Sequence, residues 1–120
     1  MKIQLQSAQI YLASTHVDFR KGVTGLTEIV ITHYEKQMGD AIYIFYNRAK
    51  NRLKLLSYHR NGFILVYKQL SKKQFTIKAN DDGSDQMFSL TQDQLSWLLA
   101  GLDWVLMSES ESDCNYTDYF

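Results

Sequence analysis

Cysteine is nearly missing from this chain of 120 residues. Cys114 stands alone, so no intrachain disulfide and no cysteine-based zinc framework can form, which fits a reducing cytoplasm. No run approaches the roughly eighteen apolar residues that a membrane helix needs, and residues 1–9 lack the apolar core of a signal peptide. Neither membrane spanning nor secretion is expected. A glycine-rich phosphate loop is absent, as are His-x-His and His-Glu-x-x-His pairs. His16, His33 and His59 are scattered, and no spacing singles out three of Asp18, Glu28, Glu35 and Asp40 for a two-metal site. These absences argue against an enzyme, and no metal or cofactor is expected.

Two further absences concern charge. Acids are missing from residues 41–80, and bases are missing after Lys78. The formal net charge of zero therefore joins opposed halves: thirteen Lys and Arg against four acids up to Asn80, then nine acids and no base from Asp81 onward. A basic block of this kind, with an acidic stretch able to compete for it, points to polyanionic partners such as nucleic acid.

What is present suits one domain. An apolar share of 45% fills a single core, and a chain of this length buries about two-thirds of its unfolded surface. Residues 10–13 read as a short strand, and residues 14–22 as a polar loop carrying Asp18, Arg20 and Lys21. Val23, Leu26, Val30, Tyr34 and Met38 recur at helical steps, with Gly39 placed to cap the end, although Ile29-Val30-Ile31-Thr32 is a stiff β-branched run. Residues 42–46 read as a buried strand, 47–51 as a basic turn and 52–58 as a second strand. Asn61-Gly62 is a strong hairpin signal, returning residues 63–70 with Arg60 opposite Phe63, Tyr58 opposite Leu65, Leu56 opposite Tyr67 and Lys54 opposite Gln69. Alternation then collects Leu53, Leu55, Ile64, Val66 and Leu70 on a core face. Arg52, Lys54, Tyr58, Arg60, Phe63 and Tyr67 share the other face, with Leu56 and Leu65. Residues 74–78 continue the alternation as one more edge strand. Thr91 and Gln94 have capping-box spacing, with Leu90 and Leu95 at the staple positions, and open a helix that Gly101 closes. The domain is expected to span residues 1–106, and residues 107–120 to form an acidic, disordered tail.

Cations interleaved with aromatics on a sheet face suit nucleic acid, since cations track phosphates while rings stack on bases. The candidates are Arg52, Lys54, Tyr58, Arg60 and Tyr67, with Arg48, Lys50 and Lys68 in the same basic block and Arg20 and Lys21 extending it. The other reading of the same residues is packing: Tyr58, Phe63 and Tyr67 lie under the Leu95 helix and only the Lys and Arg heads reach water.

Several of these segments together resemble a known family. Ile10-Tyr11-Leu12-Ala13, Asp18-Phe19-Arg20-Lys21-Gly22, Asn47-Arg48, Arg52-Leu53-Lys54, Asn61-Gly62-Phe63, Tyr67-Lys68, Leu90-Thr91, Gln94-Leu95 and Gly101-Leu102-Asp103 look like the TnpB accessory protein, the second open reading frame of insertion-sequence family sixty-six. The resemblance runs from about Ile10 to Trp104. It departs from the family at Phe19, where Met is usual in the Asp-Met-Arg-Lys signature. A proline that commonly precedes the signature has no counterpart here, and His59 stands where an Asp is usual. The resemblance implies a small factor encoded beside a transposase, without assigned catalysis. Together the two lines of reading predict an α+β domain, an antiparallel sheet of four or five strands with two helices. The expected function is that of a non-catalytic, DNA-binding accessory factor of transposition, partnered by the transposase and other accessory proteins of the element. The alternative is a module that docks those proteins through the same basic face. In either case the acidic stretch is expected to compete for the basic one.

Overall fold

All six residues of one strand, β2 (Ala41–Tyr46), are buried on both faces, and the rest of the fold is arranged to cover them. The computed structural model describes residues 9–77 and 86–113, the latter without side chains beyond 108. β2 is the middle strand of a five-stranded sheet. On one side it pairs parallel with β1 (Gln9–Leu12), which pairs antiparallel with β5 (Phe88–Leu90). On the other side it pairs antiparallel with β3 (Arg52–His59), and β3 with the edge strand β4 (Gly62–Gln69).

Strand alternation sends Tyr11, Tyr43, Phe45, Lys54 and Leu56 to one face and Ile10, Leu12, Ile42, Ile44, Leu53 and Leu55 to the other. The first face is covered by the segment joining β1 to β2. A short helix, α1 (Val23–Glu28), runs into a wide π-helical turn, Ile29–His33, and buries Leu26 and Val30. Tyr43 Oη donates to the Gln37 carbonyl at 2.7 Å and ties this cover down. Two helices lie on the second face, α2 (Gln92–Leu99) and α3 (Trp104–Asp113). Trp104, 1% exposed, packs its ring 5.9 Å from Phe88 and donates Nε1–H to the Thr76 carbonyl at 2.6 Å.

The α+β class, the first strands and the capping box of α2 agree with the sequence reading. Thr91 Oγ1 accepts from Gln94 N, Gln94 Oε1 accepts from Thr91 N, and Leu90 and Leu95 are both buried. Gly101 takes φ +76, with its N–H on Leu98 O and that of Leu102 on Trp97 O, the paired bonds of a Schellman cap.

Three expectations are corrected and one is refined. The first helix does not run to Met38. It widens over the β-branched run, where Tyr34 N reaches Ile29 O and Lys36 N reaches Val30 O, and the left-handed position falls on Glu35 (φ 55), not Gly39. The hairpin turns at Arg60–Asn61, with Arg60 at φ 60, so Gly62 pairs with His59 and Tyr58 with Phe63. That register sets the Tyr58 and Phe63 rings edge to face at 5.1 Å. Because it differs from the expected one by two residues, both faces keep their members. Residues 74–77 form no strand: Phe75 is buried and its N–H bonds Lys50 O at 2.7 Å, which carries the chain across the end of the sheet. The edge beside β1 belongs to β5 instead. Lys78 lies outside the described residues. Lastly, the sheet has one parallel pair. The expected domain boundary at Leu106 falls within α3, and residues 114–120 lie outside the described residues.

Glu35 holds a conformation that costs a side-chain-bearing residue about 1–2 kcal/mol and a glycine almost nothing. Glu35→Gly should therefore stabilise the fold by about 1 kcal/mol, a rise of roughly 3–5 °C in melting temperature by calorimetry. A fall would mean that the Glu35 side chain contributes more than its backbone strain costs.

Candidate nucleic-acid interface

The hairpin of β3 and β4 places Tyr58, Phe63 and Tyr67 on the face that α1 covers, but beyond the reach of that cover. They are 39%, 43% and 49% exposed, whereas Leu56 in the same row is fully buried. They do not lie under the Leu95 helix, which is on the opposite face. Phe19, from the loop before α1, closes the inner end of the row with its ring 6.3 Å from that of Tyr67. The outcome is an open aromatic ledge along the outer edge of the sheet.

Among the described residues, the cations around the ledge divide into those bonded within the protein and those that are not. Arg60 is exposed at the hairpin tip, and Arg52 is exposed at the far end of β3. Arg48 and Lys50 are exposed in the turn joining β2 to β3. That turn is built by Asn47, whose Oδ1 accepts from Asn51 N and Arg52 N while its Nδ2 donates to Asn51 Oδ1. Lys50 at φ 60 completes it. No acidic residue occurs between Ala41 and Ile77, so nothing in this stretch of chain offsets these charges.

Three of the expected residues are engaged within the protein. Lys54 Nζ donates to the carbonyls of Phe19 at 2.7 Å and Lys21 at 2.8 Å and sits 4.8 Å from the centre of the Phe19 ring. It acts as a strut that fixes the loop. Lys68 Nζ donates to Leu99 O at the C-terminal end of α2, where the helix dipole favours a cation. Arg20 forks onto Asp18, with Nε on Oδ1 at 3.0 Å and Nη2 on Oδ2 at 2.6 Å. The Arg20 hydrogen bonds, side chain first and then backbone, hold the Asp18 carboxyl well below the usual carboxylate range. Lys21 is exposed beside this pair, between two shallow hollows of about 340 Å³ that both include Ile29 and His33. Among the described residues no three of His, Cys, Asp and Glu gather as metal ligands, and no helix is long and apolar enough to cross a membrane.

The structure therefore brings Arg52, Arg60, Tyr58 and Tyr67 together on the β3–β4 hairpin, with Arg48 and Lys50 at one end. Arg20, Lys54 and Lys68 are drawn into internal bonds. Sequence reasoning placed Phe63 on this face without counting it as a site residue. It missed the exposure of Val66, read as core, because nothing local marks β4 as an edge strand.

Removing the Lys54 ammonium leaves two carbonyls without their donor, at about 1–3 kcal/mol. Lys54→Met should destabilise the protein by about that amount and speed amide exchange in the 18–22 loop. Unchanged exchange there would show that the strut is unnecessary.

Residues 8–109 match the family of IS66 Orf2-like proteins. The chain is 33% identical over 98 residues to protein y4jC of Sinorhizobium fredii strain NGR234, covering 80% of each chain. It is 27% identical over 100 residues to y4hO of the same strain, covering 82% of this chain and 84% of that one. No solved structure matches. A match across so much of the sheet and both helical covers leads to one conclusion: the chain belongs to the IS66 Orf2-like family, the accessory proteins of this type of insertion sequence.

Proposed function

We propose that this insertion-sequence accessory protein binds DNA without catalysing a reaction on it, through the β3–β4 hairpin and the turn before it. The reading rests on one observation: three exposed rings on one sheet face, Tyr58, Phe63 and Tyr67, flanked by Arg52 and Arg60, which no described residue engages through its side chain, in a stretch of chain without acids. Arg48 and Lys50 add phosphate contacts at the turn, and Lys21 beside the loop extends them. Arg20 contributes its outward N–H groups while Asp18 holds it in place. Lys54 fixes the loop beside the ledge on the same face, and Lys68 holds the end of α2 on the opposite one.

A second reading is docking of the element's transposase or another of its accessory proteins through the same basic face, with the contact continuing around the β4 edge. Val66 favours it, being 46% exposed on the sheet face away from the ledge, an apolar surface that phosphate contact does not use. Competition by the acidic end of the chain remains part of the proposal. It has a geometric condition: α3 begins on the face opposite the ledge, so its continuation must pass around the sheet to reach the cations.

Fluorescence anisotropy with labelled single-stranded and duplex DNA tests the first reading. Binding should be micromolar at low salt and weaken steeply as salt rises. Arg52→Ala and Arg60→Ala should each lower the salt slope by about 0.7–1. Tyr67→Ala should cost about 1–3 kcal/mol on single strands. Absence of binding to either DNA at low salt would overturn the reading.

A further inference from the structure

β4 has an open backbone edge as well as exposed side chains. Leu70 N bonds Asn51 O, and Asn47 N bonds Arg52 O, which fixes the alternation on both sides of β3. Odd-numbered residues of β3 turn their backbone groups toward β4, and even-numbered ones toward β2. In β4 it is then Gly62, Ile64, Val66 and Lys68 that bond to β3. Phe63, Leu65, Tyr67 and Gln69 aim their N–H and C=O groups outward, where no described residue meets them.

Edges of this length are normally guarded by proline, a bulge, an outward charge or brevity. β5, the opposite edge, has three residues. β4 has eight, paired without a bulge, and the chain contains no proline. Its one charge, Lys68, is turned back onto Leu99. Apolar surface is exposed on both faces of the strand, Phe63 and Tyr67 on one and Val66 on the other. Stacking on bases would use only the first, whereas an added strand would cover both.

Charge decides the occupant. Exposed Arg60 stands at one end of the edge, exposed Lys72 and Lys73 follow the other end, and exposed Arg52 lies opposite Gln69. A second copy paired antiparallel would set Arg60 against Lys72 and Lys73 of that copy, and a parallel one would set like ends together. An extended segment with acids at both ends and small apolar residues between meets neither penalty.

We infer that β4 is a strand-addition site for an acidic, extended peptide segment of a partner protein. The segment hydrogen-bonds the outward groups of Phe63, Leu65, Tyr67 and Gln69, and its terminal carboxylates face Arg60 at one end and Lys72 and Lys73 at the other. This deepens the docking reading above, on which it rests for the existence of a protein partner, and it is independent of DNA binding.

The test uses the full chain and a fluorescein-labelled peptide of alternating valine and threonine ended by glutamate pairs, with a lysine-ended peptide as its counterpart. The glutamate-ended peptide should bind at least about tenfold more tightly than the lysine-ended one. On binding, the amides of Phe63, Leu65 and Tyr67 should gain protection from hydrogen exchange, while those of Ile64 and Val66, already bonded to β3, should not change. Tyr67→Pro removes an outward N–H and spares the β3 ladder, so it should weaken binding at least about tenfold beyond Tyr67→Ala. Should the proline variant misfold, the exchange pattern in the unsubstituted protein still separates an occupied edge from an empty one. Tight binding without protection of the odd-numbered amides overturns the edge site and leaves docking elsewhere on the basic face. No preference for the acidic peptide overturns both. Protection of the same amides in the free protein that grows with concentration, alongside a dimer in sedimentation equilibrium, overturns the inference in favour of a second copy.

Discussion

The fold depends on a strand that has no solvent face. Because every residue of β2 is buried, apolar material must be stacked on both sides of the sheet, and a chain of 120 residues has little of it to spare. On one side a six-residue helix and a wide turn supply it, and on the other side α2 and the start of α3. The cover is centred on β2, so burial declines outward from it. β3 is still largely covered, while β4 is half open on both faces. The exposed rings follow from this shortage of cover, and the surface that carries the functional proposals is the part of the sheet the helices do not reach.

The same economy governs the cations. Lys54 and Lys68 lie where an uncovered carbonyl and a helix end need a donor, and both satisfy those groups. Arg52 and Arg60 have no such duty. In a chain with many bases, the division between structural and available cations is thus set by which carbonyls the packing leaves without partners. Formal charge alone would have counted all of them toward a polyanion.

Features encoded within a few residues were legible in the sequence. The capping box of Thr91 and Gln94, the cap at Gly101 and the turn around Asn47 depend on neighbours, and they appear where the local pattern put them. The two faces of the β3–β4 hairpin were also legible, since a two-residue change of register leaves strand alternation intact. What was not legible depended on distant partners. Lys54 meets its carbonyls 33 and 35 residues earlier, and Lys68 meets its own 31 residues later. β5 has three residues, too few to show a period, and exists because β1 offers it an edge. Residues 74–77 alternate as a strand does, yet they bury Phe75 while crossing the end of the sheet. Tyr58, Phe63 and Tyr67 were legible as members of one face, but their openness depended on β4 being outermost, a property of strand order that no local pattern carries.

The turn at Ile29–His33 bears on how large the aromatic surface can become. Its hydrogen bonds span five and six residues, it ends on a left-handed Glu35, and α1 before it has no side-chain cap. Such a segment has little within itself to hold its shape and depends on the sheet beneath it. Yet this segment and the loop before it are what separate Tyr43, Phe45 and Leu56 from solvent. The row of rings that now stops at Phe19 continues beneath it to the centre of the sheet. The boundary of the ledge is accordingly drawn by a segment that tertiary bonds hold in place, Tyr43 on Gln37 and Lys54 on the preceding loop, and the width of the aromatic surface depends on those bonds as much as on the strands.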